Sequence, residues 1–145
     1  MSSRFDELTI IANGAEVRRA TEWLAATCRQ RDVPQALVER LGLCLHEVLA
    51  NVITHGGRTA LAAPIRMLLE VRLDPERGKA SVTVTDAGMA FNPLSVPNRI
   101  LPKTLAEASS SGLGLVMIRR FSDWLDYRHE NGHNHLTVGM RWDVQ

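Results

Sequence analysis

The sequence predicts an α+β fold of two layers, with helices packed on one face of a mixed, mostly antiparallel sheet. Two observations support this fold class. Long stretches near the amino terminus carry apolar residues at helical spacing. Later segments with alternating polarity are joined by tight turns, at 74–78 (DPERG) and at 130–133 (ENGH). Because such short turns join antiparallel strands, a doubly wound parallel sheet is disfavoured.

Length and composition indicate one ordinary globular domain. The chain has 145 residues, of which 45% are apolar and 23% charged, with a net charge of +1. Residues 1–145 are therefore predicted to form a single domain. The balanced charge predicts no direct nucleic-acid partner and no membrane attachment, and no apolar run resembles a signal peptide or a membrane span. Cys28 and Cys44 fall within helical apolar patterns, so we expect buried, reduced thiols and a cytoplasmic location.

The first half of the chain predicts one strand and two helices. Residues 5–12 have a short strand-like pattern, and apolar residues recur at helical spacing through 15–31. Asp32 and Pro34 are typical of a helix cap and first turn, so a second helix is expected to begin there. This second helix is expected to end at the glycine pair 56–57.

The second half predicts two hairpins, separated by a long loop and a helix. The strands are expected at 65–73, 80–85, 127–130 and 135–142. Residues 92–111 are polar and contain proline, and loops of this length are usually functional lids or disordered. A helix is expected to begin near Gly112 and to extend through Leu125. Asn131 and Gly132 provide the turn of the last hairpin.

The second helix carries a polar pair beside its apolar stripe. Glu47 and Asn51 are four residues apart, so they lie on the same helix face, and His55 follows one turn later. A carboxylate can accept a proton, and an amide oxygen can bind Mg²⁺, a cation that prefers oxygen ligands. These residues could line a pocket. A solvated pair at the helix boundary is the alternative.

Two glycine-containing segments are further candidates for a ligand site. Asp86 at a strand end can accept a hydrogen bond from an exocyclic amine such as that of adenine, and Gly88 allows close approach of a flat base. An ordinary turn is the alternative. Residues 112–115 (GLGL) enter a helix, where free backbone N–H groups can bind phosphate oxygens. The lysine-bearing phosphate loop is absent from the sequence.

In their order and spacing, these segments resemble the GHKL ATPases. Residues 43–56 (LCLHEVLANVITHG) resemble the N-box of that superfamily, 82–93 (VTVTDAGMAFNP) its first glycine box, and 109–128 (SSSGLGLVMIRRFSDWLDYR) its second. The resemblance covers about residues 35 to 142 and implies the Bergerat fold with ATP and Mg²⁺ as ligands. Within the superfamily, the chain is most similar to the RsbW-type anti-sigma-factor serine/threonine kinases.

The resemblance implies a role for each matching position. Glu47 corresponds to the general base that activates a serine hydroxyl, and Asn51 to the Mg²⁺ ligand. Asp86 would bind the adenine amine, Gly88 would make room for the base, and residues 92–111 would form the ATP lid. The remaining ATP-binding positions that it implies are Gly112, Leu113, Gly114, Leu115 and Asn134.

The implied function is that of an ATP-dependent serine/threonine protein kinase and anti-sigma factor. Such a protein regulates transcription: it phosphorylates a STAS-type anti-anti-sigma antagonist and sequesters a sigma factor, commonly as a homodimer. The alternative is an ATP-binding regulatory module that controls a partner protein by binding without phosphorylating it.

Three departures from the family pattern motivate the alternative. Ala90 stands where the first glycine box commonly has glycine, and Asn134 where the last hairpin often has threonine. Some members have an arginine before the GxG, where this chain has Ser110 and Ser111. The cations available in the predicted lid are Arg99 and Lys103.

Overall fold

The computed structural model describes residues 2–90, 92 and 113–144. These residues form five strands and four helices. In chain order the elements are β1 (Ser2–Ile10), α1 (Gly14–Gln30), α2 (Gln35–His55), α3 (Gly57–Ala62), β2 (Ile65–Leu73), β3 (Arg77–Asp86), α4 (Leu113–Phe121), β4 (Trp124–Glu130) and β5 (His133–Asp143).

The strands form one five-stranded sheet in the order β1-β2-β3-β5-β4. Every strand pair that the structure describes is antiparallel. Helix α2 lies between α1 and α4 and packs on β3 and β5. The predicted α+β sandwich is therefore confirmed, although the described strands contain no parallel pair of the kind that a mixed sheet would have.

The core lies between the sheet and the helices. Alternate residues of β2 point into it, as the period of two predicts, and α2 contributes residues at helical spacing. The largest fully buried side chains of these two elements are Leu41, Leu45, Leu49, Ile65, Met67, Leu69 and Val71.

Among the described helices, none has both the length and the apolar character needed to cross a bilayer.

The two cysteines belong to this core, as predicted. Cys28 and Cys44 are buried and form no disulfide. Burial raises the pKa of the Cys28 thiol to about 12 and that of the Cys44 thiol to about 11. Both groups therefore remain protonated at neutral pH, and neither has the thiolate character of a reactive cysteine.

The predicted cap of the second helix is wrong. Helix α2 begins at Gln35, with Pro34 at its N-cap position and no capping side chain. Asp32 instead adopts a left-handed conformation, with φ of 63°. The backbone N–H of Val33 donates to the carbonyl of Cys28, so Asp32 belongs to the turn that ends α1.

Two other boundaries differ from the prediction. Leu125, expected in the last helix, lies in β4, because α4 ends at Phe121. The Ser122 hydroxyl donates to the Ile118 carbonyl at the end of this helix, over 2.6 Å. The N–H of Asp123 then donates to Gly139 in β5, which begins the sheet pairing. The short helix α3 was not predicted.

Gly139 allows the indole of Trp124 to lie flat on the outer face of the sheet. A Cβ atom at Gly139 would lie 2.0 Å from the Trp124 ring, and Arg141 covers the same ring at 4.5 Å. Gly139→Ala is therefore expected to lower the free energy of unfolding by about 1–3 kcal/mol, as other overpacking substitutions do. Urea denaturation measures the change.

Gly42→Ala is the matched control for this prediction. Gly42 lies within α2, and a Cβ atom there meets nothing within 4 Å. Because alanine favours the helix over glycine, this variant is expected to gain about 0.5–1 kcal/mol. Equal stability of the Gly139→Ala protein and the unsubstituted protein would contradict the account of the Trp124 contact.

Candidate functional site

A cleft opens between the second half of α2 and the strands β3, β5 and β4. It encloses about 480 Å³, including the part open to solvent. Its walls are largely apolar, with a few amide, carboxylate and hydroxyl groups among them. The residues that line it are Val48, Asn51, Val52, His55, Gly56, Val84, Asp86, Met89, Tyr127, Asn134 and Leu136. Such a cleft suits a flat, mostly apolar ligand that is oriented by a few polar contacts.

Helix α2 supplies the first of the predicted polar residues. Asn51 and His55 line the cleft, as expected from their spacing. Glu47 lies one helical turn before Asn51, outside the cleft lining, and its side chain is 26% exposed. The Nδ1 atom of His46 lies 3.7 Å from the Glu47 carboxylate, and the His46 side chain is 57% exposed. The carboxylate is thus at the margin of the cleft, where a second protein can reach it.

Asp86 presents one carboxylate oxygen to the cleft. It ends β3 and is only 6% exposed. Its Oδ1 atom accepts hydrogen bonds from the N–H of Gly88 at 2.8 Å and from Nδ2 of Asn134 at 3.2 Å. Within the part of the chain that the structure describes, Oδ2 has no hydrogen-bond partner. A buried carboxylate is costly unless it is hydrogen-bonded, so Oδ2 favours a ligand that brings a donor.

Gly88 allows the loop after β3 to close against the end of α2. A Cβ atom at Gly88 would lie 2.8 Å from Oδ1 of Asp86 and 2.9 Å from the Cα atom of Gly56. The N–H of Met89 donates to the Gly56 carbonyl at 3.2 Å. The sequence analysis expects glycine at position 88 because it leaves room for a base. The structure shows a second reason, since a larger residue at 88 would collide with Gly56.

Asn134 joins β5 to the loop after β3. It is 7% exposed and pairs with Asp86 in the sheet register. Its Nδ2 atom lies 3.2 Å from Oδ1 of Asp86, 3.3 Å from the Gly88 carbonyl and 2.9 Å from the Met89 carbonyl. Its Oδ1 atom accepts a hydrogen bond from the Tyr127 hydroxyl at 2.5 Å. Its amide is therefore engaged with the protein on both sides.

Tyr127 is a cleft residue that the sequence analysis did not single out. It lies in β4 opposite Leu136 of β5, on the face that points towards α2. Strand alternation could have indicated its orientation. Its hydrogen bond to Asn134 depends on the register of the last hairpin, which the turn at Asn131 and Gly132 fixes.

The predicted phosphate-binding segment is described only in part. Helix α4 begins at Leu113, so Leu113, Gly114 and Leu115 lie in its first turn. Gly112 and the predicted lid beyond Asn92 lie outside the described residues, together with Arg99, Lys103, Ser110 and Ser111. The backbone N–H groups of a first helical turn have no acceptor within the helix, which is the geometry that phosphate binding uses.

The donors beside the cleft fit a magnesium ion that arrives with a nucleotide. Among the described residues, no group of three or more histidine, cysteine, aspartate or glutamate side chains could hold a metal ion. Mg²⁺ bound with phosphates needs only one or two protein oxygen ligands. The amide oxygen of Asn51, which lines the cleft, meets this requirement.

Comparison with known proteins gives two matches. Residues 10–142 match the family model described as the histidine kinase-like ATPase domain. The chain is also 29% identical, over 138 residues, to the serine/threonine-protein kinase BtrW of Bordetella bronchiseptica. That alignment covers 95% of this chain and 94% of the relative, so the similarity extends over nearly the whole of both chains.

Proposed function

The chain belongs to the histidine kinase-like ATPase family, and on that basis we propose that it is an ATP-dependent serine/threonine protein kinase and anti-sigma factor. The similarity to BtrW supports a kinase or ATPase role. In the proposed function, the protein phosphorylates a STAS-type anti-anti-sigma antagonist and sequesters a sigma factor. The observation that carries the proposal is the buried Asp86 carboxylate, which lines the apolar cleft near Asn51. One of its oxygens has no hydrogen-bond partner among the described residues.

The cleft fits the adenine ring of ATP. Val84 and Leu136 on the strands and Val52 on α2 provide apolar surface for a flat base. The open Oδ2 atom of Asp86 accepts a hydrogen bond from the exocyclic amine. The preference of a buried carboxylate for a donor would then orient the base.

The residues of α2 provide the groups that phosphoryl transfer requires. When bound, Mg²⁺ neutralises charge on the transferred phosphoryl group. Asn51 would hold the ion through its amide oxygen. Glu47 would accept the proton of the substrate serine hydroxyl while that oxygen bonds to the γ-phosphorus and ADP leaves. Its side chain is 26% exposed, which leaves it open to a protein substrate.

Homodimerisation is part of the proposal. Strand β1 is an edge strand of the sheet, so one side of its backbone has no partner strand in the described residues. Phe5 on this strand is 59% exposed. An open edge strand with an exposed aromatic residue favours pairing with a second chain.

Phosphate transfer to an antagonist tests the function. We would incubate the protein with ATP labelled at the γ-phosphate, Mg²⁺ and a STAS-domain antagonist from the same genome. Label is expected on one serine of the antagonist, and it should be lost when that serine is replaced by alanine. ATP binding without transfer would overturn the kinase assignment and favour the alternative, an ATP-binding regulatory module. Ala90, which replaces a glycine of the first glycine box, is the feature that motivates this alternative.

A further inference from the structure

The orientation of the Asn134 amide is fixed by its surroundings. One end of the amide faces a carboxylate oxygen and two backbone carbonyls, all of which are acceptors. The other end faces the Tyr127 hydroxyl. A flipped amide would place its oxygen against three acceptors, so the NH₂ group must point at Asp86 and the loop.

This orientation leaves no donor of Asn134 for a ligand. Its two N–H bonds are directed at the Asp86 carboxylate and at the carbonyls of Gly88 and Met89. Its oxygen is engaged by Tyr127. The amide therefore has no N–H left to donate to a base, although it lies in the cleft.

We infer that Asn134, held by Tyr127, is a positioning residue that sets the base specificity of the nucleotide site by occupying one oxygen of Asp86. The inference rests on the proposed ATP-binding function and specifies how the same cleft selects its nucleotide. With Gly88 and Asn134 both donating to Oδ1, Asp86 offers the cleft a single acceptor, Oδ2.

A single acceptor distinguishes adenine from guanine. Adenine presents one exocyclic amine next to a ring nitrogen that is itself an acceptor, so one carboxylate oxygen satisfies it. Guanine presents a ring N–H and an exocyclic amine side by side, and two open carboxylate oxygens would be needed to accept from both. Because Oδ1 is already occupied, Asp86 cannot form this two-bond contact.

Tyr127 stabilises the arrangement from β4. Its hydroxyl donates to the Asn134 oxygen, which keeps the NH₂ group turned towards Asp86. Without this hydroxyl the buried amide oxygen would lose its donor, and the amide would be held only at its NH₂ end. Both Tyr127 and Asn134 therefore act on the nucleotide through Asp86.

Two variants test the inference by calorimetric titration with ATP, GTP and purine riboside triphosphate, which lacks the amine, each with Mg²⁺. Asn134→Ala is expected to reduce the preference for ATP over GTP by about ten-fold, since Oδ1 of Asp86 then keeps only the Gly88 N–H and has one lone pair available for a second hydrogen bond. Tyr127→Phe keeps the ring in place and is expected to shift the preference in the same direction, by about three-fold.

Thr137→Val provides the matched control. The Thr137 hydroxyl bonds that of Thr83 at 2.8 Å across the same β3–β5 pair, on the sheet face away from the cleft. Its loss removes one cross-strand hydrogen bond without touching the site. We expect an unchanged ratio of ATP to GTP affinity in this variant, and thermal melting shows whether each variant is folded.

The outcomes separate the inference from the proposed function. A uniform loss of affinity for all three nucleotides in Asn134→Ala and Tyr127→Phe would show a merely structural role and overturn the inference. Unchanged discrimination in the folded Tyr127→Phe protein would also overturn it, even if Asn134→Ala failed to fold. Absence of ATP binding to the unsubstituted protein would instead overturn the proposed function on which the inference rests.

Discussion

Replacement of Glu47 by glutamine is expected to abolish phosphate transfer to a protein serine while ATP binding is kept. Glutamine preserves the size of the side chain but cannot accept the hydroxyl proton, so the rate should fall by about 10²–10⁴-fold, the usual contribution of a general base. Glu47 lies outside the cleft lining. The dissociation constant for ATP should therefore change by less than about two-fold, which is below 0.5 kcal/mol.

The measurement combines single-turnover transfer of labelled phosphate with calorimetric titration of ATP. His46→Gln is the matched control, because His46 is the neighbour of Glu47 and lies 3.7 Å from its carboxylate, but is largely exposed. An exposed ion pair of this kind contributes little free energy. We therefore expect the rate of phosphate transfer to change by less than about three-fold in the His46→Gln protein. Retained transfer in the Glu47→Gln protein would remove Glu47 from the proposed mechanism.

The positions of the site residues could be predicted where a local period determines them. The spacing of Asn51 and His55 places both on one side of α2, and both line the cleft, whereas Glu47, expected on the same face, lies outside the lining. The alternation of β3 places Asp86 on the same side as the buried Val84. These placements depend only on the repeats of a helix and a strand, which the sequence itself displays.

The hydrogen bonds within the site could not be predicted in the same way. Asp86 and Asn134 are 48 residues apart and meet through the β3–β5 register. Tyr127 reaches Asn134 only because β4 and β5 pair across the tight final turn. The sequence marked Asn134 as an imperfect replacement for threonine, but its partners depend on how distant segments pair in the folded chain.

The boundary errors have a related cause. Asp32 has the residue type of a helix cap, yet the hydrogen bond from Val33 back to Cys28 places it in the turn that ends α1. Leu125 continues the apolar pattern of α4, but the bond from Asp123 to Gly139 begins a strand before it. In both cases, backbone hydrogen bonds outweighed a local preference, which is a weak determinant of structure.

Replacement of Asp86 by asparagine is expected to weaken ATP binding about a hundred-fold while the protein stays folded. The asparagine oxygen can take the place of Oδ1 and accept the hydrogen bonds of Gly88 and Asn134. The NH₂ group must then point into the cleft, where it meets the exocyclic amine of adenine donor to donor. Loss of a charge-assisted hydrogen bond, about 1.5–3 kcal/mol, together with this mismatch predicts about a hundred-fold weaker binding.

Titration of ATP and ADP measures the effect. The binding of both should weaken equally, because the proposed contact of Asp86 is with the base and not with the phosphates. Thr85→Val is the matched control: it precedes Asp86 in β3, but its hydroxyl lies 3.1 Å from His135 on the opposite face of the sheet. Unaltered ATP affinity in Asp86→Asn would show that Asp86 does not bind the base. If the Asp86→Asn protein loses ATP affinity and the Glu47→Gln protein loses only phosphate transfer, base recognition is assigned to the sheet and phosphate chemistry to α2.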